Sequence, residues 1–203
     1  MGRVERFDPG RQPSGRTPAP GRLGLVQAFV NSFWDLDAGG VDAWPDAAAY
    51  GRWLSARGFG GPPATEADRE RAITLREALR GLALRHHDGD DAPDAPELAV
   101  LDAVARTVTL RLRFDPAPRH EPAAGGADGA LALVLGVVAE AMADGTWSRC
   151  KACPGPHCGW LFYDGSRNRS RQWCSMQLCG NRVKGREFRA RQRRATEPAR
   201  RRT

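Results

Sequence analysis

The sequence predicts a mainly α body with a small β-hairpin (α+β), followed by a compact C-terminal module organised around cysteine. Three observations predict it. Apolar residues recur at helical spacing through most of residues 23–145, a single run near residue 110 alternates, and four cysteines are packed into the last quarter of the chain. The 203 residues suffice for one domain of ordinary size plus a small module.

Residues 1–21 are rich in Gly, Pro, Arg and Ser, and such composition predicts a disordered leader. Leu25, Val26, Phe29 and Val30 then form a helical stripe that ends at Asn31-Ser32, with a break through Phe33-Trp34-Asp35 and Gly39-Gly40. Asp46 is placed to cap a second helix through Ala49, Tyr50, Trp53 and Leu54 to Gly58. Thr65 opens the longest helix, in which Ala72, Leu75, Leu79 and Leu82 keep one face apolar up to His86-His87. Asp88, Gly89, Asp90 and Asp91 with Pro93 and Pro96 read as a loop, and Leu98, Leu101, Ala105 and Val108 as another helix. Val108, Leu110, Leu112 and Phe114 alternate with Thr109, Arg111 and Arg113, which predicts a half-buried strand of a hairpin turning near Asp115-Pro116. Ala130 to Ala143 is a nearly all-apolar helix, central to the body. The organisation expected is a leader (1–21), a helical body (22–148), a cysteine-bearing module with a basic helix (149–195) and a basic tail (196–203).

Charge separates body from module. Residues 149–203 hold 15 Lys and Arg against Asp164, Glu187 and Glu197, a net +12, which leaves −5 for residues 1–148 of the chain's total +7. Such asymmetry marks a local anion-binding footprint. All five cysteines fall within thirty residues, which favours a metal in a reducing compartment over a disulfide framework. With no apolar leader segment and no run of about 18 apolar residues, the chain reads as cytoplasmic, without a membrane partner.

Cys153, Cys158, Cys174 and Cys179 form C-x4-C twice, 15 residues apart, a spacing suited to one tetrahedral Zn²⁺. Cys150 and Cys153 offer a competing C-x2-C. Glycine commonly follows the second cysteine of a zinc knuckle, and Gly159 follows Cys158 whereas Pro154 follows Cys153. Cys158 therefore closes the first pair, Cys150 is spare, and His157 is a bystander. Trp160, Phe162 and Tyr163 read as a strand, residues 164–169 as a turn, and Ser175 as the cap of a helix carrying Cys179. Knuckle, hairpin and helix make a treble-clef-like zinc finger. Four thiolates leave no open coordination position, so the metal is structural.

The run C-P-G-P-H-C-G-W-L-F-Y-D-G-S-R-N-R-S-R-Q-W-C-S-M-Q-L-C-G-N-R-V-K resembles the bacterial CGNR zinc finger, named for Cys179-Gly180-Asn181-Arg182. The resemblance extends to about Arg194 and implies the same four cysteines as ligands; Gly165 and Cys150 depart locally from its pattern. Phe29-Val30-Asn31-Ser32 and the Tyr50–Leu54 stretch resemble, less strongly, the ABATE domain that precedes this finger. Together they imply a stress-induced transcriptional regulator; the function expected first is a finger that contacts DNA and a helical body that senses a small-molecule effector or makes partner contacts.

On a helix leaving Cys179, Arg182, Arg186, Arg189 and Arg193 fall within roughly 60° of one another. That stripe suits phosphates and guanine edges of duplex DNA. Lys184 lies off it, Gly185 weakens the helix, and Arg167, Arg169 and Arg171 in the finger's turn are candidates to clasp flanking phosphate. No catalytic motif is present. Trp34, Trp44 and Trp53 read as core, His86-His87 as residues meeting a helix dipole, and Cys150 as a thiol that Lys151 could activate. Two other functions fit the sequence: sequence-nonspecific RNA binding, with Trp160, Phe162 and Trp173 stacking on bases, and a small-molecule enzyme tethered by the finger.

Overall fold

Side-chain caps and apolar periodicity set the helices. In the computed structural model, which describes residues 6–12, 16–34, 40, 42–87 and 95–196, α1 spans Leu23–Val30, α2 Ala47–Ala56, α3 Glu66–Arg85, α4 Pro96–Ala105 and α5 Gly126–Ala143. Asp46 accepts the Ala49 N–H at 2.7 Å to start α2. Thr65 and Asp68 close a reciprocal capping box at the head of α3, with bonds of 3.2 and 2.9 Å. Pro96 sits at the first turn of α4, where its missing N–H costs nothing. The 88–91 acids and Gly39 lie outside the described residues.

α5 is the centre of the body, packed by α1, α2, α3 and α4. Leu131, Val134 and Val138 of α5 share one buried cluster with Val26 and Phe29 of α1 and with Leu75 and Leu79 of α3. By length and a mean hydropathy of 1.6, α5 is long and apolar enough to cross a membrane, although Asp128 and Glu140 interrupt its apolar run. Its 61% burial under the other helices makes it a core helix instead. Trp44 is fully buried in the same core, and Trp53 packs against it.

The alternating run forms β1 (Leu110–Arg113), antiparallel to β2 (Arg119–Pro122), with the turn at Asp115-Pro116 as expected. The half-buried strand is not borne out: Leu112 and Phe114 are 62% and 72% exposed. β2, half-buried along its length, is the strand that packs on α5, where Gly136 leaves room for His120 and for Leu110 of β1. Arg22 and Glu140 pin β2, Arg22 donating to Glu140 at 2.6 Å and to the His120 carbonyl at 2.9 Å.

Residues 16–21, read from composition as part of a disordered leader, include two buried side chains, Arg16 and Ala19. Polar contacts, which composition does not reveal, hold them. The Ala19 N–H donates to Gln27 at 2.7 Å. Upstream, Arg6 donates to the Gly58 carbonyl at 2.9 Å and lies over Phe59.

After a turn of 3₁₀ helix (Trp147–Arg149), β3 (Cys150–Ala152) pairs antiparallel with β4 (Leu161–Tyr163), in register Cys150↔Tyr163, Lys151↔Phe162 and Ala152↔Leu161. The two-residue period of a strand divides this ribbon. Cys150, Ala152 and Leu161 complete the body's core, with Tyr163 packed against it, while Phe162 joins the four other cysteines. Body and finger thus share one ribbon. Asn31, just past α1, donates to the Leu161 carbonyl at 2.9 Å and accepts its N–H at 2.7 Å. At the end of α3, His86 Nδ1–H donates to the Cys150 carbonyl and His87 Nε2–H to the Ala152 carbonyl, both at 2.6 Å. The two imidazoles therefore do more than face a helix dipole; they dock α3 onto β3.

Arg80 completes the seam. Its guanidinium donates to the carbonyls of Gly159, Val30 (2.8 Å) and Phe33 (2.7 Å), and its Nε to Glu77 at 2.9 Å. Removing it orphans buried carbonyls on both sides of the seam. Arg80→Met is expected to cost about 3 kcal/mol and to lower the thermal midpoint by about 6–12 °C. Calorimetry checks this, and a midpoint unchanged from wild type would remove Arg80 from the seam.

Candidate metal centre and basic helix

The knuckle begins where β3 ends. The Cys153 N–H donates to Trp160 O at 2.9 Å, the Gly159 N–H to Cys153 O at 3.2 Å, and the Cys158 N–H to Gly155 O at 3.0 Å. Gly159 has φ +61°, the left-handed conformation that its place after the second ligand requires, and Arg80 packs against it closely. Gly155 approaches the fourth ligand: a Cβ there would stand 3.1 Å from Cys179 Cβ. His157 is exposed on the turn, beside the site as expected.

On the far side, Cys179 closes a wide helical turn, Met176–Gly180, whose 179 and 180 N–H groups both donate to the Ser175 carbonyl, at 3.0 and 3.2 Å. The Ser175 side chain makes no capping hydrogen bond, unlike the expectation; its carbonyl organises the turn.

The four thiols of Cys153, Cys158, Cys174 and Cys179 converge, all buried and all within 4.8 Å of one another. Cys158 and Cys174 sulfurs are 3.6 Å apart, Cys174 and Cys179 3.7 Å. A tetrahedron of Zn–S bonds of about 2.3 Å has S···S edges of about 3.8 Å, so the donor set fits one structural Zn²⁺. Hydrogen bonds from the other three cysteines, and then from Arg16, draw Cys174 down; a bond from Cys158 draws Cys153 down; hydrogen bonding to Cys153 pushes both Cys158 and Cys179 up. Metal binding by such a set releases protons.

Cys150 is not among them. Burial against the body pushes its thiol up to about 12, which overturns the reading of a Lys151-activated thiol. Strand alternation sends Lys151 to the opposite face, where its ammonium meets Asp164 at 3.1 Å and the carbonyls of Arg169 and Arg171 at 2.5 and 3.3 Å.

Asp164, fully buried, is the organiser that sequence reasoning passed over. It accepts from the Ser166 N–H (3.0 Å) and Oγ–H (2.6 Å) and from the Arg171 N–H (2.9 Å), which folds residues 164–171 into a closed loop. The available signal was Asp164-Gly165-Ser166, an Asx-turn sequence, together with a lone lysine in an apolar strand. Burial pushes the Asp164 carboxyl up, but bonds from Ser166, Lys151 and Arg171 outweigh it and hold the group below its ordinary 3.8.

That loop sorts the three turn arginines. Arg171 turns inward, donating to Trp173 O (3.1 Å) and Cys174 O (2.7 Å) and lying over Phe162. Arg169 donates to Ser148 Oγ at 3.0 Å, and Arg167 is exposed. The expected three-arginine clasp is therefore not assembled on one surface. Trp160 and Phe162 are 3% and 1% exposed, so neither can stack on a base. Trp34 stacks edge-on against Trp160.

α6 (Asn181–Thr196) leaves directly from the fourth ligand, and Arg182, Lys184, Arg186, Arg189 and Arg193 are all exposed along it. Arg189 folds back over Gly185, whose missing Cβ would lie 3.5 Å from its guanidinium.

The helical body, shared ribbon and four-thiol centre define a two-part protein that ends in a zinc finger. The chain belongs to the ABATE family, whose description is "Putative stress-induced transcription regulator", matched over residues 23–145, and it carries a CGNR zinc finger over residues 149–192. No curated protein matches the chain.

Cys174→Ser is expected to lose stoichiometric zinc, read by elemental analysis, while the helical signal in circular dichroism is largely kept. The body's thermal midpoint falls as well, because the ribbon is shared; a full zinc complement in the variant would contradict the ligand set. For Asp164 the folded carboxyl is the stronger acid, so its stabilisation is present above pH 3.8 and lost as pH falls through the folded value. Urea unfolding should show Asp164→Asn less stable than wild type at neutral pH, with the gap closing below that pH. A gap independent of pH would mean that the carboxylate charge is not what matters.

Proposed function

We propose that the chain is a transcriptional regulator that binds duplex DNA through α6, with the zinc finger as its folded mount. The observation that carries this reading is the row of exposed Arg182, Arg186, Arg189 and Arg193, which starts at the residues following the last metal ligand. Guanidinium groups spaced along one helix face match phosphates and guanine edges of a major groove. Lys184 widens the field, and Arg167 and Arg169 stand at the loop end of the finger. Four thiolates make the centre a scaffold, so the finger contributes geometry and charge and the zinc takes part in no reaction.

The body, residues 22–148, is on this reading the part that receives the signal, a small-molecule effector or a partner protein arising under stress, in the cytoplasm. Its seam with the finger gives that signal a short path to α6. Nonspecific RNA binding by stacking is disfavoured, since two of its three aromatics are buried. The family matches are to a regulator and a zinc finger, which argues against the tethered enzyme.

Titrating zinc-loaded protein onto duplex DNA at several salt concentrations tests the reading. Each phosphate contact contributes about 0.9 to the slope of log affinity against log salt, so replacing both Arg186 and Arg189 with Ala should lower the slope by about 1.8 and weaken binding. An unchanged slope would place the contact surface elsewhere.

A further inference from the structure

Ahead of α1, outside both matched segments, residues 16–19 lie along the seam between body and finger. Gln27 is the node. Its Oε1 accepts the Ala19 N–H at 2.7 Å, and its Nε2 donates to Thr17 O at 3.5 Å and to Leu161 O at 3.1 Å. One fully buried amide thus joins this segment, α1 and β4. Thr17 Oγ1 also accepts from Arg171 Nη1 at 3.4 Å, while Nη2 of the same guanidinium holds the Cys174 carbonyl at 2.7 Å.

So held, the Arg16 side chain is buried at the metal centre. The residue is 3% exposed, and its guanidinium lies 4.5 Å over the ring of Trp160, which shares a buried cluster with the four thiols. After the three other cysteines, the Arg16 guanidinium helps to hold the Cys174 thiol below its ordinary range. Four thiolates around one Zn²⁺ carry a net charge of −2, and a buried net anion is stabilised by donors that bring positive charge. Arginine suits the place because its planar, always-charged group can stack on an indole and donate from its edge at once. Partners outside the ligand set commonly tune metal affinity by 10- to 100-fold.

We propose that Arg16 is a positioning residue of the zinc centre: its guanidinium, clamped on Trp160, donates to Cys174 Sγ and retains the metal by offsetting thiolate charge. The segment before the body is then a working part of the finger, although it is distant from it in sequence. The proposal does not depend on nucleic-acid binding.

The test compares full-length wild type, R16A, R16K and R11A; Arg11 is exposed and controls for loss of one positive charge. Zinc-loaded proteins are challenged with a chromophoric chelator, and cobalt-loaded proteins are examined for sulfur-to-metal charge-transfer absorption. R16A is expected to release zinc at least about tenfold faster. Its charge-transfer bands should move to lower energy, because the sulfur has lost a donor. R16K should recover part of the retention, and R11A should match wild type in both readouts. Charge-transfer bands of R16A that coincide with wild type overturn the assignment whatever the release rate, and so does an R11A that behaves like R16A. If R16A does not fold, R16Q, neutral and of similar reach, carries the same two readouts.

Discussion

Leu161 offers one backbone N–H and one carbonyl at the edge of a two-stranded ribbon, and Asn31 answers both. A ribbon of two three-residue strands cannot hold itself together in water. Here its outer face is the floor of the body's core and its inner face the wall of the metal centre. Cys153 follows β3 and Cys158 precedes β4, so the spacing of the first ligand pair depends on the ribbon staying closed. Arg80, His86 and His87 each reach a backbone carbonyl of this segment, at Gly159, Cys150 and Ala152. Such contacts constrain chain path while leaving the side chains of the finger free to bind metal.

Burial also redistributes the positive charge of the C-terminal quarter. Lys151 is neutralised by Asp164 inside the finger, Arg171 braces the Cys174 backbone, and Arg149 donates to Asp164 O and Ser166 O at 3.1 and 3.0 Å. A formal count of +12 therefore overstates what a polyanion meets in the finger proper. The exposed cations of α6 and Arg167 carry the outward field. That division is what a small polar module requires: with little apolar surface, it uses cations and their partners as its interior framework, and the metal closes it.

Much of this architecture was legible in the sequence, for identifiable reasons. Asp46 and Thr65 mark helix starts through local side-chain chemistry, and the position of Gly159 resolves which of three upstream cysteines are ligands. What was not legible depends on partners far away in the chain. Alternation in Leu110, Leu112 and Phe114 specifies a strand but not its cover, and α5 packs mainly on β2, which leaves β1 exposed. Lys151 beside Cys150 suggests an activated thiol until strand pairing places the two on opposite faces. Arg16 sits in a segment whose composition argues against order, because a single amide on α1 and a single indole in the finger supply the contacts that hold it.

On the proposed reading a metal-dependent fold carries DNA recognition, and the most direct measurement of that link is selection from a genomic fragment library by zinc-loaded protein at about physiological salt. Enrichment of a few promoter fragments, abolished when zinc is stripped by a chelator, is the predicted result. Uniform weak retention that vanishes with added salt, and is the same with and without zinc, would contradict it.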